Sequence, residues 1–114
     1  MRESTPRILT GMHQFAGAGY NEPISVGVSY SVPADRRAQL LYIRAGNSAA
    51  EMITVVLMRN GDPMRLFPIG AKGAVHIPLV VVEDLTPETR LELRVAAPAG
   101  TGGTLALDMG LVEI

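Results

Sequence analysis

The side chains that could carry out acid–base or metal chemistry are few and scattered along the chain. His13 and His76 are the only imidazoles, each falls within a predicted strand, and no carboxylate stands at a ligand spacing from either. Glu83-Asp84 is the one acidic pair, and with Glu88 it could hold a cation, but a solvated loop is the favoured interpretation. Both histidines are interpreted as surface or interface residues. The sequence therefore predicts no metal site and no cofactor.

Motifs for phosphate binding are lacking as well. The segment Gly17–Gly19 has neither the third glycine nor the βαβ context of a dinucleotide fingerprint. The segment Gly70–Gly73 matches the GXXG loop of KH domains only superficially, because that loop sits between helices and none is predicted. Asp108, in the last predicted strand, is expected to pair with an arginine on a neighbouring strand or subunit, since no second titratable group is evident for catalysis. We predict that the chain is not an enzyme.

Composition narrows the class of protein further. A net charge of −1 predicts no general attraction to nucleic acid or to an anionic membrane. Three Tyr, two Phe and no Trp argue against an aromatic platform for bases or sugars. Nine of the ten basic residues are Arg, which suits protein contacts because Arg binds carboxylates bidentately, although a GC-rich genome explains the bias equally well. The lack of Cys excludes disulfides, zinc–thiolate sites and thiol catalysis.

The N-terminal residues show no apolar run of the kind that a signal peptide needs. No segment approaches the roughly 18 consecutive apolar residues of a membrane helix. We therefore expect a protein that is made in the cytoplasm, stays soluble and has no membrane partner. With 114 residues, the chain fits one domain, which we place at 7–114 behind an N-terminal arm at 1–6.

Short apolar segments alternate with turns rich in Gly and Pro, which predicts many strands and no helix. The predicted strands are Arg7–Phe15, Ile24–Val32, Arg37–Ala45, Met52–Met58, Met64–Ile69, Ala74–Val82, Arg90–Ala97 and Thr104–Ile114. About eight strands at regular spacing predict an all-β fold, an antiparallel two-sheet β-sandwich of the jelly-roll kind, with a small barrel as the alternative.

Several local patterns refine this fold. The segment Met52–Met58 is apolar on both faces and is therefore predicted to be a central strand. Asn60-Gly61 is the strongest hairpin signal, and Pro68 marks the returning strand as an edge. In the last strand, the inward positions after Gly110 are expected to be 112 and 114, or 111 if a bulge shifts the register. The segment 16–23 (AGAGYNEP) is predicted to be a loop.

Three segments carry a resemblance to a known family. The turn Val32–Arg36 (VPADR) follows an apolar strand, Leu85–Leu93 (LTPETRLEL) fits an L-x-P-G/E-T-x-L-x-L/V pattern, and Gly110–Ile114 (GLVEI) forms a short apolar tail. This combination resembles small β-sandwich structural proteins of tailed bacteriophages, which serve as capsid decoration (cement), fibre or collar components. The family turn more often has Gly where Asp35 stands. The resemblance implies a role in virion assembly and transfers no functional residue.

The predicted function is therefore that of a phage virion structural protein, found in the virion after synthesis in the host bacterium. Our first choice is a capsid decoration protein that binds across major capsid protein subunits. One alternative is a head–tail connector, collar or tail/fibre component, and another is a small carbohydrate- or ligand-binding β-sandwich module. A homo-oligomer is expected, with a trimer favoured for a decoration protein, and no nucleic-acid partner.

Interface residues are predicted in the arm, at its junction with the first strand, and in the exposed loops, where arginine and tyrosine side chains suit protein contacts. The candidates are Arg2, Arg7, Tyr20, Asn21, Arg36 and Arg37.

Overall fold

The computed structural model describes residues 3–114 and contains eight β-strands. The strands are β1 (Thr5–Ala16), β2 (Gly19–Ser31), β3 (Ala38–Asn47), β4 (Ile53–Arg59), β5 (Asp62–Ile69), β6 (Ala74–Leu85), β7 (Arg90–Ala97) and β8 (Gly102–Glu113). Residues 3–114 form no helix, and so include none that could cross a membrane.

The strands form two antiparallel sheets that enclose one apolar core. Sheet 1 has the order β1-β8-β3-β6, and sheet 2 has the order β2-β7-β4-β5. The prediction of an all-β, two-sheet sandwich with about eight strands is confirmed. The strand β4 lies between β7 and β5, as its two apolar faces predicted, and β5, which contains Pro68, is an edge strand.

The core is built from aliphatic side chains of both sheets. Leu40 and Ile43 of sheet 1, and Leu57 and Leu93 of sheet 2, are 0% exposed. Burial of one such side chain contributes about 1.5–3 kcal/mol relative to its exposed state. The strict alternation of β7 and the two apolar faces of β4 thus explain how a chain without Trp holds its sheets together.

The hairpin between β4 and β5 forms at the predicted dipeptide. Asn60 and Gly61 have φ angles of 49° and 86°, in the left-handed region that a two-residue type I′ turn requires. The Asn60 side-chain oxygen also accepts a hydrogen bond of 2.8 Å from the backbone N–H of Arg90. This contact ties the hairpin to β7, its neighbour in sheet 2.

Two strands extend into segments that were predicted to be loops. The strand β2 already begins at Gly19, and β6 continues to Leu85 instead of ending at Val82. In both cases a bulge hides the period of two: the β2–β7 register shifts between Gly19 and Ile24, and the β3–β6 register shifts opposite Leu41. A bulge adds residues to one strand only, so the alternation on which the sequence prediction depends is interrupted there.

The close approach of Tyr42 to β8 explains Gly110. A Cβ atom at position 110 would lie 2.3 Å from Cε1 of Tyr42, so only glycine fits under this ring. The alternation of inward and outward positions in β8 continues past Gly110 without a shift. Leu107, Leu111 and Glu113, which share one parity, are all buried. The expectation of inward positions 112 and 114 is therefore wrong, whereas the alternative position 111 does point inward; the extra residue of the bulge is on β3.

Asn47, the last residue of β3, links two connections at one end of the sandwich. Its buried side-chain amide donates hydrogen bonds to the carbonyl oxygens of Glu51 (2.9 Å), Gly70 (3.1 Å) and Ile69 (3.5 Å). Its side-chain oxygen accepts a hydrogen bond of 2.9 Å from the backbone N–H of Ala49. The β3–β4 loop and the β5–β6 turn are thus fixed by a single side chain.

Candidate functional site

The structure places the predicted interface residues in two separate groups. Arg7, Arg36 and Arg37 lie at the end of the sandwich where β1 begins and β8 ends. Tyr20 and Asn21 lie toward the opposite end, near the start of β2. Arg2 lies outside the described residues. The five described candidates therefore do not form one continuous surface.

The three arginines already bind groups within the chain. Nε of Arg7 lies 3.3 Å from Oε1 of Glu113, and Arg36 donates to the carbonyl oxygens of Glu3 (2.8 Å) and Glu113 (3.4 Å). Arg37 forms a bidentate pair with Asp84 at 2.5 and 3.3 Å. These guanidinium groups connect the first and last described strands to the β2–β3 turn and to β6.

Glu113 is the charged centre of this end. Its side chain is buried, and it accepts a hydrogen bond of 2.5 Å from the hydroxyl of Tyr30 in sheet 2. The Tyr30 hydrogen bond, together with Arg7 and Arg36, outweighs the effect of burial and holds the pKa of Glu113 below its ordinary value. Burial, and then the Glu113 carboxylate, raise the pKa of the Tyr30 hydroxyl. This contact joins the two sheets.

The second group has one internal contact. The hydroxyl of Tyr20 donates a hydrogen bond of 2.9 Å to the carbonyl oxygen of Met52, while the residue as a whole remains 47% exposed. Asn21 is exposed on the same strand. Tyr20 thus covers the start of β4 and keeps enough free surface for contact with a partner.

A cleft on the outer face of sheet 1 brings together polar residues that the sequence left separate. In the register of the sheet, Asp108 of β8, Arg44 of β3 and His76 of β6 form one row across three strands. The next row on this face consists of Ala106, Gly46 and Ala74, and these small residues form the floor of the cleft. The cleft has a volume of about 530 Å³ and is open to solvent.

Hydrogen bonds and charge organise this cleft. The hydroxyl of Tyr42 donates a hydrogen bond of 2.8 Å to Oδ1 of Asp108, and a guanidinium nitrogen of Arg44 lies 3.8 Å from Oδ2 of the same carboxylate. The hydrogen bond to Asp108 raises the pKa of the Tyr42 hydroxyl. His76 meets the Tyr42 ring edge to face at a centroid distance of 6.1 Å. The expected partner of Asp108 on a neighbouring strand is thus Arg44.

This arrangement can hold a polar ligand by hydrogen bonds but has no nucleophile activated by a base. Within residues 3–114, no group of three His, Cys, Asp or Glu side chains is placed to hold a metal ion. The sequence could not reveal the cleft, because the row depends on strand order: 32 positions separate Arg44 from His76, and 32 more separate His76 from Asp108.

A second surface feature is the bulge of β6. Leu40 pairs with Glu83 and Tyr42 pairs with Pro78, so the single residue Leu41 faces the four residues 79–82. Leu79 turns into the core, whereas Val80 is 88% exposed and Val81 is 72% exposed. We call Val80–Val82 the valine knob. It projects from an edge strand of sheet 1.

Similarity to known proteins is limited to the fold. No protein-family model matches the sequence, and no curated protein matches it either. Among solved structures, the CBM36-1 domain of a multidomain xylanase from the hindgut metagenome of Trinervitermes trinervoides aligns over 95% of this chain and 96% of its own, with a TM-score of 0.58 and 16% identity.

Two further solved structures align with lower TM-scores. A family 35 carbohydrate-binding module from Clostridium thermocellum has a TM-score of 0.48 at 14% identity, over 95% of this chain and 90% of that one. The structure of infectious bursal disease virus Gt strain has a TM-score of 0.46 at 15% identity, over 95% of this chain and 32% of that one. The class that the fold defines is the jelly-roll-like β-sandwich, the fold of the CBM36-1 domain.

Proposed function

We propose that the chain is a structural protein of a phage particle, a capsid decoration protein that binds across major capsid protein subunits. The observation that carries this proposal is the valine knob. Val80 and Val81 are 88% and 72% exposed on a small protein whose other β-branched side chains are mostly buried or half-buried. A projecting apolar cluster of this kind is typical of a surface that becomes buried against another protein.

The knob is suited to insertion into a pocket and not to strand pairing. Pro78 lacks an N–H, and the four-residue bulge breaks the straight edge that an added strand would need. Side-chain burial must therefore provide the contact. Transfer of one exposed valine into a partner's apolar pocket contributes about 1.5–3 kcal/mol. Three adjacent valines could thus anchor the protein on a capsid.

Charged pairs next to the knob supply the polar rim that protein interfaces usually have. Arg65 of β5 lies 3.2 Å from Glu83, and Arg37 pairs with Asp84, so the residues that follow the knob are held by two ion pairs. This arrangement fixes the base of the bulge on both sheets. An apolar centre with a fixed polar border supports the assembly role that the sequence resemblance implies.

Binding to capsids tests the proposal. Wild-type protein should co-sediment with empty heads of the phage whose genome encodes it, and Val80→Asp with Val81→Asp should weaken this binding at least about tenfold, because two charges would then enter an apolar pocket. Ile24→Asp on β2, the far edge of sheet 2, is the matched control and should bind normally. Absence of wild-type binding, or equal binding by the double variant, would contradict the proposal.

Copy number separates decoration from the connector or tail alternatives. A decoration protein is present in hundreds of copies per particle, whereas a connector or collar component is present in six or twelve. Quantitative mass spectrometry of purified particles, with the major capsid protein as the internal standard, gives this ratio directly. A ratio near one protein per tens of capsid subunits would overturn the decoration role.

A second candidate function, binding of a small polar ligand such as an oligosaccharide, is favoured by the cleft of sheet 1. Asp108, Arg44 and His76 lie beside a floor of small residues, so a ligand can approach the backbone while its hydroxyl groups are hydrogen-bonded. The fold likeness to the CBM36-1 domain agrees with this candidate but does not carry it.

A glycan array followed by calorimetry tests the cleft. If the array identifies an oligosaccharide, we expect Asp108→Asn to weaken its binding about tenfold or more, because the substitution removes the negative charge and replaces one acceptor oxygen by an amide donor. Gln14→Ala on the outer face of β1 is the control and should leave affinity unchanged. Binding that survives Asp108→Asn would exclude the cleft as the site.

A further inference from the structure

The edge strands of the two sheets differ in how well they are protected against pairing with another strand. Three of them carry the usual protection. The strand β2 has two register shifts and Pro23, β5 has Pro63 and Pro68, and β6 has Pro78 and its bulge. The fourth edge strand, β1, pairs with β8 through twelve consecutive positions without any shift. Its only proline is Pro6, the second residue of the strand.

The chemistry of β1 adds to this contrast. From Ile8 to Ala16 the strand has no Lys, Asp or Glu, so it lacks the charged side chains that commonly prevent an edge strand from pairing with another strand. Ile8 is 63% exposed and Met12 is 72% exposed, and both lie on the outer face of sheet 1. A groove of about 280 Å³ opens along the strand, lined by Thr10 and His13 and by residues of the β2 bulge. Within residues 3–114, β8 is the only strand that pairs with β1.

We propose that β1 pairs antiparallel with the β1 strand of a second copy of this chain across a two-fold axis at Thr10. In this register Ile8 stands opposite Met12 of the second copy, and Met12 stands opposite its Ile8. The two four-stranded sheets then join into one continuous sheet of eight strands. The proposal concerns self-association only. It can therefore fail while the virion role stands, and the virion role can fail while the dimer stands.

The register follows from the positions of the apolar side chains. Side chains alternate between the two faces of a strand. An antiparallel pairing therefore keeps the outer side chains of both copies on the same face of the joined sheet only if even-numbered positions of one copy lie opposite even-numbered positions of the other. Among these registers, only the one centred on Thr10 places Ile8 of each copy directly opposite Met12 of the other copy, where cross-strand side chains interact. On the inner side, Arg7 faces His13 of the second copy, and its charge is already balanced by Glu113.

The overlap is long enough for a stable contact. Positions 5 to 15 of one copy face positions 15 to 5 of the other. Alternate pairs exchange two backbone hydrogen bonds each, which gives about ten across the overlap, the number found in a typical protein interface. A two-fold axis closes the assembly at two copies, so the expected product is a dimer and not the trimer favoured by the sequence analysis.

Disulfide trapping tests the axis, because the chain contains no natural cysteine. In the proposed dimer the two Thr10 residues face each other with Cα atoms about 4.5 or 5.5 Å apart, within the roughly 4.4–6.8 Å range of a disulfide. Thr10→Cys should therefore crosslink nearly completely on mild oxidation. Ala71→Cys, at an exposed position in the turn between β5 and β6, lies far from β1 and should remain mostly uncrosslinked. Equal crosslinking of the two variants would overturn the proposal.

Paired charge substitutions test the register itself. Ile8→Lys with Met12→Lys places like charges opposite each other and should raise the dimer dissociation constant about a hundredfold. Ile8→Lys with Met12→Glu places opposite charges across both pairs and should retain the dimer. Sedimentation equilibrium should give twice the 12.1 kDa mass of the chain for wild type and for the second variant. A wild-type mass of one or three chains, or equal dissociation of the two variants, would exclude this pairing.

Discussion

Replacement of Asn47 by aspartate should lower the free energy of unfolding by about 3–5 kcal/mol at pH 7. The amide nitrogen that now donates to the carbonyl oxygens of Glu51, Gly70 and Ile69 would become a carboxylate oxygen facing three acceptors. The side chain is buried, so water cannot replace the lost donors. Urea unfolding followed by far-ultraviolet circular dichroism measures the loss.

The pH dependence separates charge from loss of packing. An aspartate in this position is easier to protonate in the folded state than in the unfolded chain, so its destabilising effect relative to wild type should shrink as the pH falls from 7 to 4. Asn47→Ala should show a loss that does not change with pH. Asn21→Asp, at an exposed position, is the control and should shift stability by less than about 0.5 kcal/mol. A small effect at position 47 would mean that this amide does not hold the loops.

Replacement of Glu113 by glutamine should remove much of the acid sensitivity of the protein. Hydrogen bonds from Tyr30 and Arg7 hold the pKa of Glu113 below its value of 4.5 in a model compound. A carboxyl group with a lowered folded-state pKa stabilises the fold above the unfolded pKa and loses this contribution as pH falls through the folded one. Wild-type stability should therefore fall below about pH 4.5, while the Glu113→Gln variant shows a flatter profile.

At pH 7 the same substitution should cost about 1.5–3 kcal/mol, the contribution of hydrogen bonds to a buried charge. Tyr30→Phe removes one donor and should move the acid transition of Glu113 to higher pH. Glu22→Gln, at an exposed position of β2, is the matched control and should keep the wild-type profile. Identical pH profiles for wild type and Glu113→Gln would show that Glu113 does not govern acid stability. Urea midpoints measured from pH 2.5 to 7 give the comparison.

The fold could be predicted where side chains alternate without interruption. The strand Arg90–Ala97 was predicted with its observed bounds, and the turn at Asn60 was predicted because few residue pairs tolerate two left-handed positions in succession. Prediction failed at the bulges of β2 and β6, where extra residues break the period of two. Glu113 escaped notice because a carboxylate in a terminal segment usually faces solvent, and its partners are distant in sequence.

The candidate surfaces depend on information that a single sequence does not carry. The row Asp108–Arg44–His76 requires the strand order β8-β3-β6, and the valine knob requires the bulge that turns Leu79 inward and Val80 outward. From the sequence, Val80–Val82 has the same character as any buried apolar strand. The arginines predicted at the interface were identified by residue type alone, and the structure places Arg7, Arg36 and Arg37 in contacts within the chain.

The place of β8 in the middle of sheet 1 has a consequence for how the chain reaches its native state. This strand leaves the ribosome last of the eight, yet it lies between β1 and β3, and Thr5 pairs with Glu113 more than a hundred positions away. Sheet 2, whose strands are all complete by Ala97, can assemble earlier. Until β8 arrives, β1 and β3 have no shared neighbour, and contacts this distant in sequence slow folding. Closure of the core therefore depends on β8, the last of the eight strands to be synthesised.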